Sequence, residues 1–301
     1  MIVTLRGLIV RYPMSAFFTL AFGLSWLAWS PYVLGMNGLG WEPEIRFPAV
    51  LGTSQILGVL PGAYLGPIFA AFVVTAVAEG RPGLRRWAGR LVRFRVPWPW
   101  YVLTIISVPV ALGVATLPFS GGAVRMPPVA VLVAFVPGLV LQMVTTGLAE
   151  EPGWRDFALP RLQPRYGALR GNLILGPLWG AWHLPLFFSE WGGRPDVPWY
   201  VPVEFVLTTF AFSLVMTWVF NRTGQSLPLA MLLHTSVNNF FSTAWSAMFP
   251  GVGPHGTTHV FLLASAVAAA VLLVATRGRL GWVPERVGPV SPAGRPSAQR
   301  S

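Results

Sequence analysis

The sequence predicts an all-α membrane protein, a bundle of about eight transmembrane helices. Of its 301 residues, 54% are hydrophobic and only 10% are charged, whereas soluble domains carry about 25% charged residues. The mean hydropathy is +0.60. Apolar stretches long enough to cross a bilayer as helices, about 20 residues each, recur along the chain. Together these observations favour a membrane bundle over a soluble domain.

Eight such stretches can be drawn, and helices are expected because lipid cannot satisfy exposed backbone groups. They cover residues 14–36, 59–78, 99–118, 128–149, 172–189, 199–220, 226–246 and 259–276. The fifth and the seventh are the least regular, because both contain polar groups and prolines. The expected organisation is an N-terminal helix with the first outer connection (1–58), a core (55–250), a last transmembrane helix (251–280) and a disordered cytoplasmic tail (281–301).

The placement of arginine predicts the orientation. All 21 basic residues are arginines, and most lie before the first stretch, in the second, fourth and sixth connections, or in the tail. Arginine accumulates on the cytoplasmic side of membrane proteins, so both termini are predicted to be cytoplasmic. A lysine-free composition is typical of a GC-rich bacterial genome, and a bacterial cell membrane is therefore the expected location.

The second connection contains an amphipathic segment, residues 81–96, which is too charged to span a membrane. Its apolar residues are interspersed with arginines, which favours a helix lying in the interface. The net charge of +11 is accordingly interpreted as attraction to membrane lipid, with no nucleic-acid partner. Cysteine is absent, which excludes disulfides, thiolate metal sites and a cysteine nucleophile.

Polar side chains that lipid disfavours are concentrated in three of the stretches. They are Glu150, Glu151 and Arg155 at the end of the fourth, His183 in the fifth, and His234 with Asn238 in the seventh. Taken singly, each has an ordinary structural explanation, such as an i,i+4 ion pair between Glu151 and Arg155. As a set they indicate function, because ionisable groups inside membranes are rare and usually mark active or transport sites.

The chemistry of this set leaves several functions open. A carboxylate with an imidazole activates water, and an imidazole with an amide stabilises an oxyanion, which together suit a hydrolase. Two histidines and a glutamate also form a plausible zinc shell. Glu150 and His183 could alternatively relay protons in a coupled transporter, although no internal repeat supports a transporter. A non-catalytic scaffold or immunity protein is the third alternative.

Three motifs in order carry a resemblance to a known family. They are EEPGWR (150–155), WGAWH (179–183) and HTSVN (234–238), each on its own apolar stretch. This arrangement resembles the CPBP family, which comprises CAAX-type prenyl-protein endopeptidases and the bacteriocin-processing or immunity proteins called Abi. The resemblance covers about residues 55–250.

The resemblance implies an intramembrane endopeptidase whose substrate is a membrane-proximal peptide. By position, Glu150 would be the general base, assisted by His183, and His234 with Asn238 would bind the oxyanion. Glu151 and Arg155 would orient the site. The family has been described both as metal-dependent and as metal-free, so the cofactor is either none or one divalent metal, zinc first. The ligands of such a metal would be Glu150, His183 and His234.

Two departures from the family pattern bear on the site: Trp179 replaces the usual phenylalanine, and Asp156 is expected to compete for Arg155. The predicted cavity lies near the cytoplasmic side, with Glu150 at the cytoplasmic end of the fourth helix. His183 would then lie roughly 17 Å and His234 roughly 12 Å into their helices, depths that do not match.

Three further polar residues lie outside these motifs. Glu204 is expected near the outer interface and His255 and His259 in solvent. None of the three is assigned a role in the site.

Overall fold

The chain forms a bundle of long helices, described here from a computed structural model that covers residues 4–253 and 255–284. Within these residues there is no β-strand, and the all-α prediction is confirmed. The helices are α1 (Leu5–Arg11), α2 (Pro13–Leu34), α3 (Gln55–Leu91), α4 (Trp98–Thr116), α5 (129–166), α6 (168–182), α7 (Tyr200–Arg222), α8 (227–248) and α9 (Gly256–Thr276).

Helices α2 to α9 correspond in order to the eight predicted spans. By length and hydropathy alone, six helical runs in the described residues are able to cross a membrane. One of those runs, Val129–Phe188, contains both α5 and α6. Helix α8 is not among the six, because His234, Asn238 and Asn239 interrupt its apolar sequence. Most of the predicted disordered tail, residues 285–301, lies outside the described residues.

Two glycines change the direction of the chain within sequences that would otherwise continue as one helix. Gly80 has φ 62° and Gly167 has φ 78°, a region of backbone conformation that favours glycine. At Gly80 the chain leaves the span of α3 and continues as a second helical segment to Leu91, within the predicted amphipathic segment. At Gly167 the chain reverses, so that α5 and α6 form a helical hairpin.

Helix α6 packs closely against α7, because small residues line the contact. A Cβ added to Gly176 would lie 2.7 Å from Cα of Phe210, and one added to Gly180 would lie 2.3 Å from Oγ1 of Thr209. Small residues at such contacts are the usual way for membrane helices to approach each other. This approach brings the end of α6, with His183, against the first turns of α7.

The bundle has two ends, distinguished by their connections. At one end, the backbone N–H of Glu190 donates to the carbonyl of Asn37, and that of Arg125 donates to the carbonyl of Met248. His255 Nε2 lies 3.0 Å from the carbonyl oxygen of Asp196. The connections 35–54, 117–128, 189–199 and 249–255 therefore meet at this end, called the arginine-poor end below.

The opposite end gathers the remaining connections. Arg93 donates to the carbonyl of Gly224, and Asn221 donates to the carbonyl of Leu280 at 2.9 Å. The segment 81–96 is anchored here, because Trp87 Nε1 donates to the carbonyl of Pro152 at 3.0 Å. We call this the arginine-rich end.

Candidate functional site

The hairpin of α5 and α6 sets Glu150 and His183 at the same depth in the bundle. Glu150 lies 17 residues before the turn at Gly167, and His183 lies 16 residues after it. The prediction that Glu150 ends its helix at the cytoplasmic side is wrong, since α5 continues to residue 166. The mismatch in depth that followed from that prediction is thereby removed.

Helix α5 passes through the EEPGWRDF sequence without ending because its turns widen there. Wide π-turns at Met143–Gly147 and Trp154–Ala158 flank the short α-helical segment Leu148–Gly153. Pro152 cannot donate a backbone hydrogen bond, and π-turns are common where functional side chains are presented from a helix. Both glutamates are thus held on continuous helix in the interior.

Four of the predicted site residues line one cavity of about 230 Å³. They are Glu150, His183, His234 and Asn238. The two histidines and Glu150 are buried, whereas Asn238 is partly exposed. Three separate helices, α5, α6 and α8, therefore bring these groups to a common space.

Glu150 presents its carboxylate to this cavity with one direct donor. Its Oε2 accepts a hydrogen bond from Trp179 Nε1 at 2.8 Å. The same oxygen lies 3.9 Å from Nε2 of His183. This separation is too long for a direct hydrogen bond, so the two groups can share a bridging water.

The protonation pattern of His183 follows from its surroundings. Its Nδ1 lies 3.0 Å from the carbonyl oxygen of Trp179, and a carbonyl can only accept a hydrogen bond. Nδ1 therefore carries the proton, and in the neutral ring Nε2 is left as an acceptor. The ring stacks on Trp191 at 5.5 Å between centroids and meets Phe205 edge-on at 5.0 Å, which fixes its orientation.

His234 is held by a chain of buried polar groups on the side away from the cavity. Its Nδ1 lies 2.7 Å from Oε1 of Glu151, and Oε2 of Glu151 lies 3.2 Å from Nε of Arg155. Arg155 in turn donates to Oγ of Ser213 at 2.9 Å. The side chains of Glu151 and Arg155 have no exposed surface, and the i,i+4 pair expected between them is present.

Two expectations about neighbouring polar residues are wrong. Asp156 does not compete for Arg155; it pairs with Arg90 of the 81–91 helix. His259 is not free in solvent, because its Nδ1 lies 2.9 Å from Oε2 of Glu204. Both pairings join distant parts of the chain, and for that reason no local sequence pattern predicts them.

The described residues contain no group of three or more histidine, aspartate or glutamate side chains arranged to hold a metal ion. Glu151 engages Nδ1 of His234, and a backbone carbonyl engages Nδ1 of His183. Glu150, His183 and His234, the predicted ligand set, do not form such a group. The two Nδ1 contacts leave Nε2 of each ring as the atom available to the cavity.

Sequence reasoning missed three residues that support the site. The indole N–H of Trp179 contacts Glu150 directly, whereas the motif indicates only that tryptophan stands in place of phenylalanine. Ser213 and Asn172 extend the buried chain from Arg155, with Oγ of Ser213 donating to Oδ1 of Asn172 at 2.7 Å. The only sequence signal for them is that both are polar residues within apolar helices.

Comparison with known proteins finds a family model that matches the central part of the chain. Residues 133–240 match the family model described as type II CAAX prenyl endopeptidase Rce1-like. The matched segment includes all the predicted site residues, from Glu150 to Asn238.

A curated relative agrees with this match. The chain is 28% identical over 224 residues to CAAX prenyl protease 2 of Methanococcus maripaludis, an alignment that covers 69% of this chain and 78% of the relative. These matches agree with the resemblance that the three motifs predicted, to the CAAX-type prenyl endopeptidases, a family of proteases. With its long apolar helices, the chain is an integral membrane protein.

Proposed function

We propose that this protein is an intramembrane endopeptidase that cleaves a membrane-proximal peptide with water activated by Glu150 and His183. One observation carries the proposal: Oε2 of Glu150 and Nε2 of His183 lie 3.9 Å apart in a shared cavity. Both atoms are acceptors in the states described above. A water between them donates one proton to each and directs its lone pairs elsewhere, as a nucleophile requires.

The first step is attack on the scissile carbonyl. Glu150 accepts a proton from the bridging water while the water oxygen bonds to the carbonyl carbon. The carbonyl π-electrons move to oxygen, which becomes an oxyanion in a tetrahedral intermediate. His183 holds the water through its second O–H, and Trp179 holds the carboxylate through the indole N–H.

The oxyanion is stabilised from α8 by His234 and Asn238. The amide of Asn238 donates without any change of protonation. His234 donates through Nε2 in its imidazolium form, because Nδ1 is already directed to Glu151. Before the attack, the charges of His234, Glu150, Glu151 and Arg155 sum to zero, which limits the cost of burying ionised groups. After the attack, the oxyanion carries the negative charge that protonation removes from Glu150.

The second step breaks the peptide bond. Glu150 returns its proton to the amide nitrogen, the C–N bond breaks, and the oxyanion electrons re-form the carbonyl of the new carboxyl group. One product peptide ends in a new carboxyl group, and the other begins with a new amino group. No covalent intermediate with a protein side chain is needed.

The substrate proposed is a peptide segment at the membrane surface. The relative from Methanococcus maripaludis is named CAAX prenyl protease 2, and a prenylated peptide is therefore one candidate for this chain. An unmodified membrane-proximal peptide is the other. Both classes place a peptide bond close to lipid, where the cavity of an intramembrane protease is accessible.

The direct test is incubation of the purified full chain with prenylated and unmodified peptides, followed by mass spectrometry of the products. We expect cleavage by the wild type and by Glu204→Gln, and cleavage by Glu150→Gln that is slower by roughly 10²–10⁴-fold. Cleavage by Glu150→Gln at the wild-type rate would contradict the mechanism. Chelator treatment should leave the rate unchanged; a loss of activity that added zinc restores would show that a metal is required.

A further inference from the structure

The cavity that contains Glu150 reaches the surface at one end of the bundle. Its wall includes Leu51, Thr53 and Gln55, from the first connection and the start of α3. Leu51 is 76% exposed, so the cavity continues from the buried carboxylate to solvent-accessible chain. These residues belong to the arginine-poor end.

The opposite side of the cavity is closed by packed side chains. Glu151, Trp154, Arg155 and Asp156 follow Glu150 along α5 and have no exposed surface. Beyond them, Trp87 and Arg90 of the 81–91 helix cover α5 through contacts with Pro152 and Asp156. A peptide therefore has no path to Glu150 from the arginine-rich end.

Charge distinguishes the two ends strongly. The connections at the arginine-poor end contain three arginines (Arg46, Arg125 and Arg194) and four acidic residues (Glu42, Glu44, Glu190 and Asp196). The arginine-rich end contains fourteen of the described arginines, and Arg155 is buried between the two. Positive charge of this density marks the cytoplasmic side of a membrane protein.

We infer that the cavity opens on the non-cytoplasmic face of the membrane, so that its substrate is a peptide segment presented outside the cytoplasm. The position of the cavity mouth and the charge of the two ends carry this inference. It rests on the proposed function for the statement that the peptide is cleaved. It reverses the expectation of a cavity near the cytoplasmic side, which depended on ending α5 at Glu150.

The cavity wall also defines the chemistry of that segment. Apart from Glu150, His183 and His234, its lining consists of apolar, aromatic or uncharged polar residues. Leu60, Leu141 and Phe212 are among the apolar ones, and Gln142 and Thr146 among the polar ones. Away from those three side chains, a charged group of the substrate would be desolvated without a partner. The substrate is thus a neutral, largely apolar segment next to the outer membrane surface.

Orientation can be measured by cysteine accessibility, because the chain contains no native cysteine. Leu51→Cys and Trp41→Cys place a thiol at the cavity end, where the native side chains are 76% and 71% exposed. Ala88→Cys and Tyr166→Cys place one at the opposite end without removing an arginine. Each full-length variant is treated with a membrane-impermeant maleimide in intact and in permeabilised cells.

We expect Leu51→Cys and Trp41→Cys to be labelled in intact cells as completely as after permeabilisation. Ala88→Cys and Tyr166→Cys should be labelled only after permeabilisation. The reverse pattern, or labelling of both ends in intact cells, would overturn the inference. Because labelling needs no catalysis, this result is independent of whether the protein is a protease.

A second measurement connects orientation to activity. A neutral apolar peptide that the purified protein cleaves is added to sealed right-side-out and inside-out vesicles containing the wild type. Cleavage confined to right-side-out vesicles is expected, and cleavage confined to inside-out vesicles would refute the inference. Absence of cleavage by the purified protein would instead count against the proposed function, with the labelling result unaffected.

Discussion

Glu150 and Glu151 are neighbours in sequence and occupy opposite environments. Successive residues of a helix point about 100° apart, and here that rotation separates a cavity from a packed interior. Glu150 lines the cavity and accepts one hydrogen bond from a neutral indole. Glu151 lies between the cation of Arg155 and the imidazole of His234, with no exposed surface. Identical carboxylates are therefore placed in positions suited to different tasks.

In the proposed mechanism, the reactivity of Glu150 depends on its incomplete pairing. Glu151 has an immediate cationic partner, and Arg155 is further held by Ser213 and Asn172. Glu150 has no cation in direct contact among the described residues and faces open space next to His183. We therefore expect changes at Glu150 to alter the reaction rate, and changes at Glu151 to alter folding stability.

The largest effect is expected for Glu150→Gln. Glutamine keeps an oxygen that can accept from Trp179 but cannot take a proton from water. General-base catalysis contributes roughly 10²–10⁴-fold, and kcat should fall by about that factor. Peptide cleavage measured by mass spectrometry gives the rate, and thermal unfolding in detergent should be nearly unchanged. A large loss of stability would mean that Glu150 is mainly a structural residue.

The next effect is expected for Glu151→Gln, which leaves the buried guanidinium of Arg155 without its countercharge. Breaking a buried ion pair from one side costs about 3–5 kcal/mol. The midpoint of thermal unfolding should fall clearly. The double variant Glu151→Gln/Arg155→Met removes the orphaned charge and should recover part of the loss. Additive losses in that double-mutant cycle would indicate that the two residues are not coupled.

A smaller effect is expected for Trp179→Phe, which introduces the phenylalanine that is usual at this position of the family motif. The ring is kept, whereas the donor to Glu150 is removed. A hydrogen bond to a charged group is worth about 1.5–3 kcal/mol, and we expect kcat to fall at least about tenfold with little change in KM. A rise in KM at constant kcat would show instead that Trp179 contacts the substrate. Trp245→Phe, at a buried tryptophan outside the cavity that donates to Oγ1 of Thr116, is the matched control.

The fold was largely predictable because most of the helices have a continuous apolar sequence. The end of α5 could not be predicted in this way. Its sequence EEPGWRDF combines four charged residues with a proline, a pattern typical of a helix terminus. Those charges are buried by partners from other parts of the chain, such as Arg90 for Asp156 and His234 for Glu151. Only the packed bundle supplies these partners, and consequently the predicted depth of Glu150 was wrong.

For the site, the three motifs predicted which residues line the cavity and left open how each is held. The state of His183 depends on a carbonyl of its own helix, and that of His234 on a glutamate 83 residues away. The contact between Trp179 and Glu150 appears only after α5 and α6 are folded into a hairpin. Their roles in catalysis stay predictions, which the substitutions above test.

The smallest effect is expected for Glu204→Gln. This variant tests whether only a glutamate in the cavity, such as Glu150, contributes to the reaction rate. Glu204 also pairs with a histidine, at 2.9 Å from His259, but the two side chains are 23% and 33% exposed. Solvent screens such partly exposed pairs, and they typically contribute about 0–1 kcal/mol. Both kcat and the thermal midpoint should stay close to wild type. An activity loss as large as that of Glu150→Gln would contradict this contrast. It would mean that pairing with a histidine, rather than access to the cavity, determines which carboxylate supports cleavage.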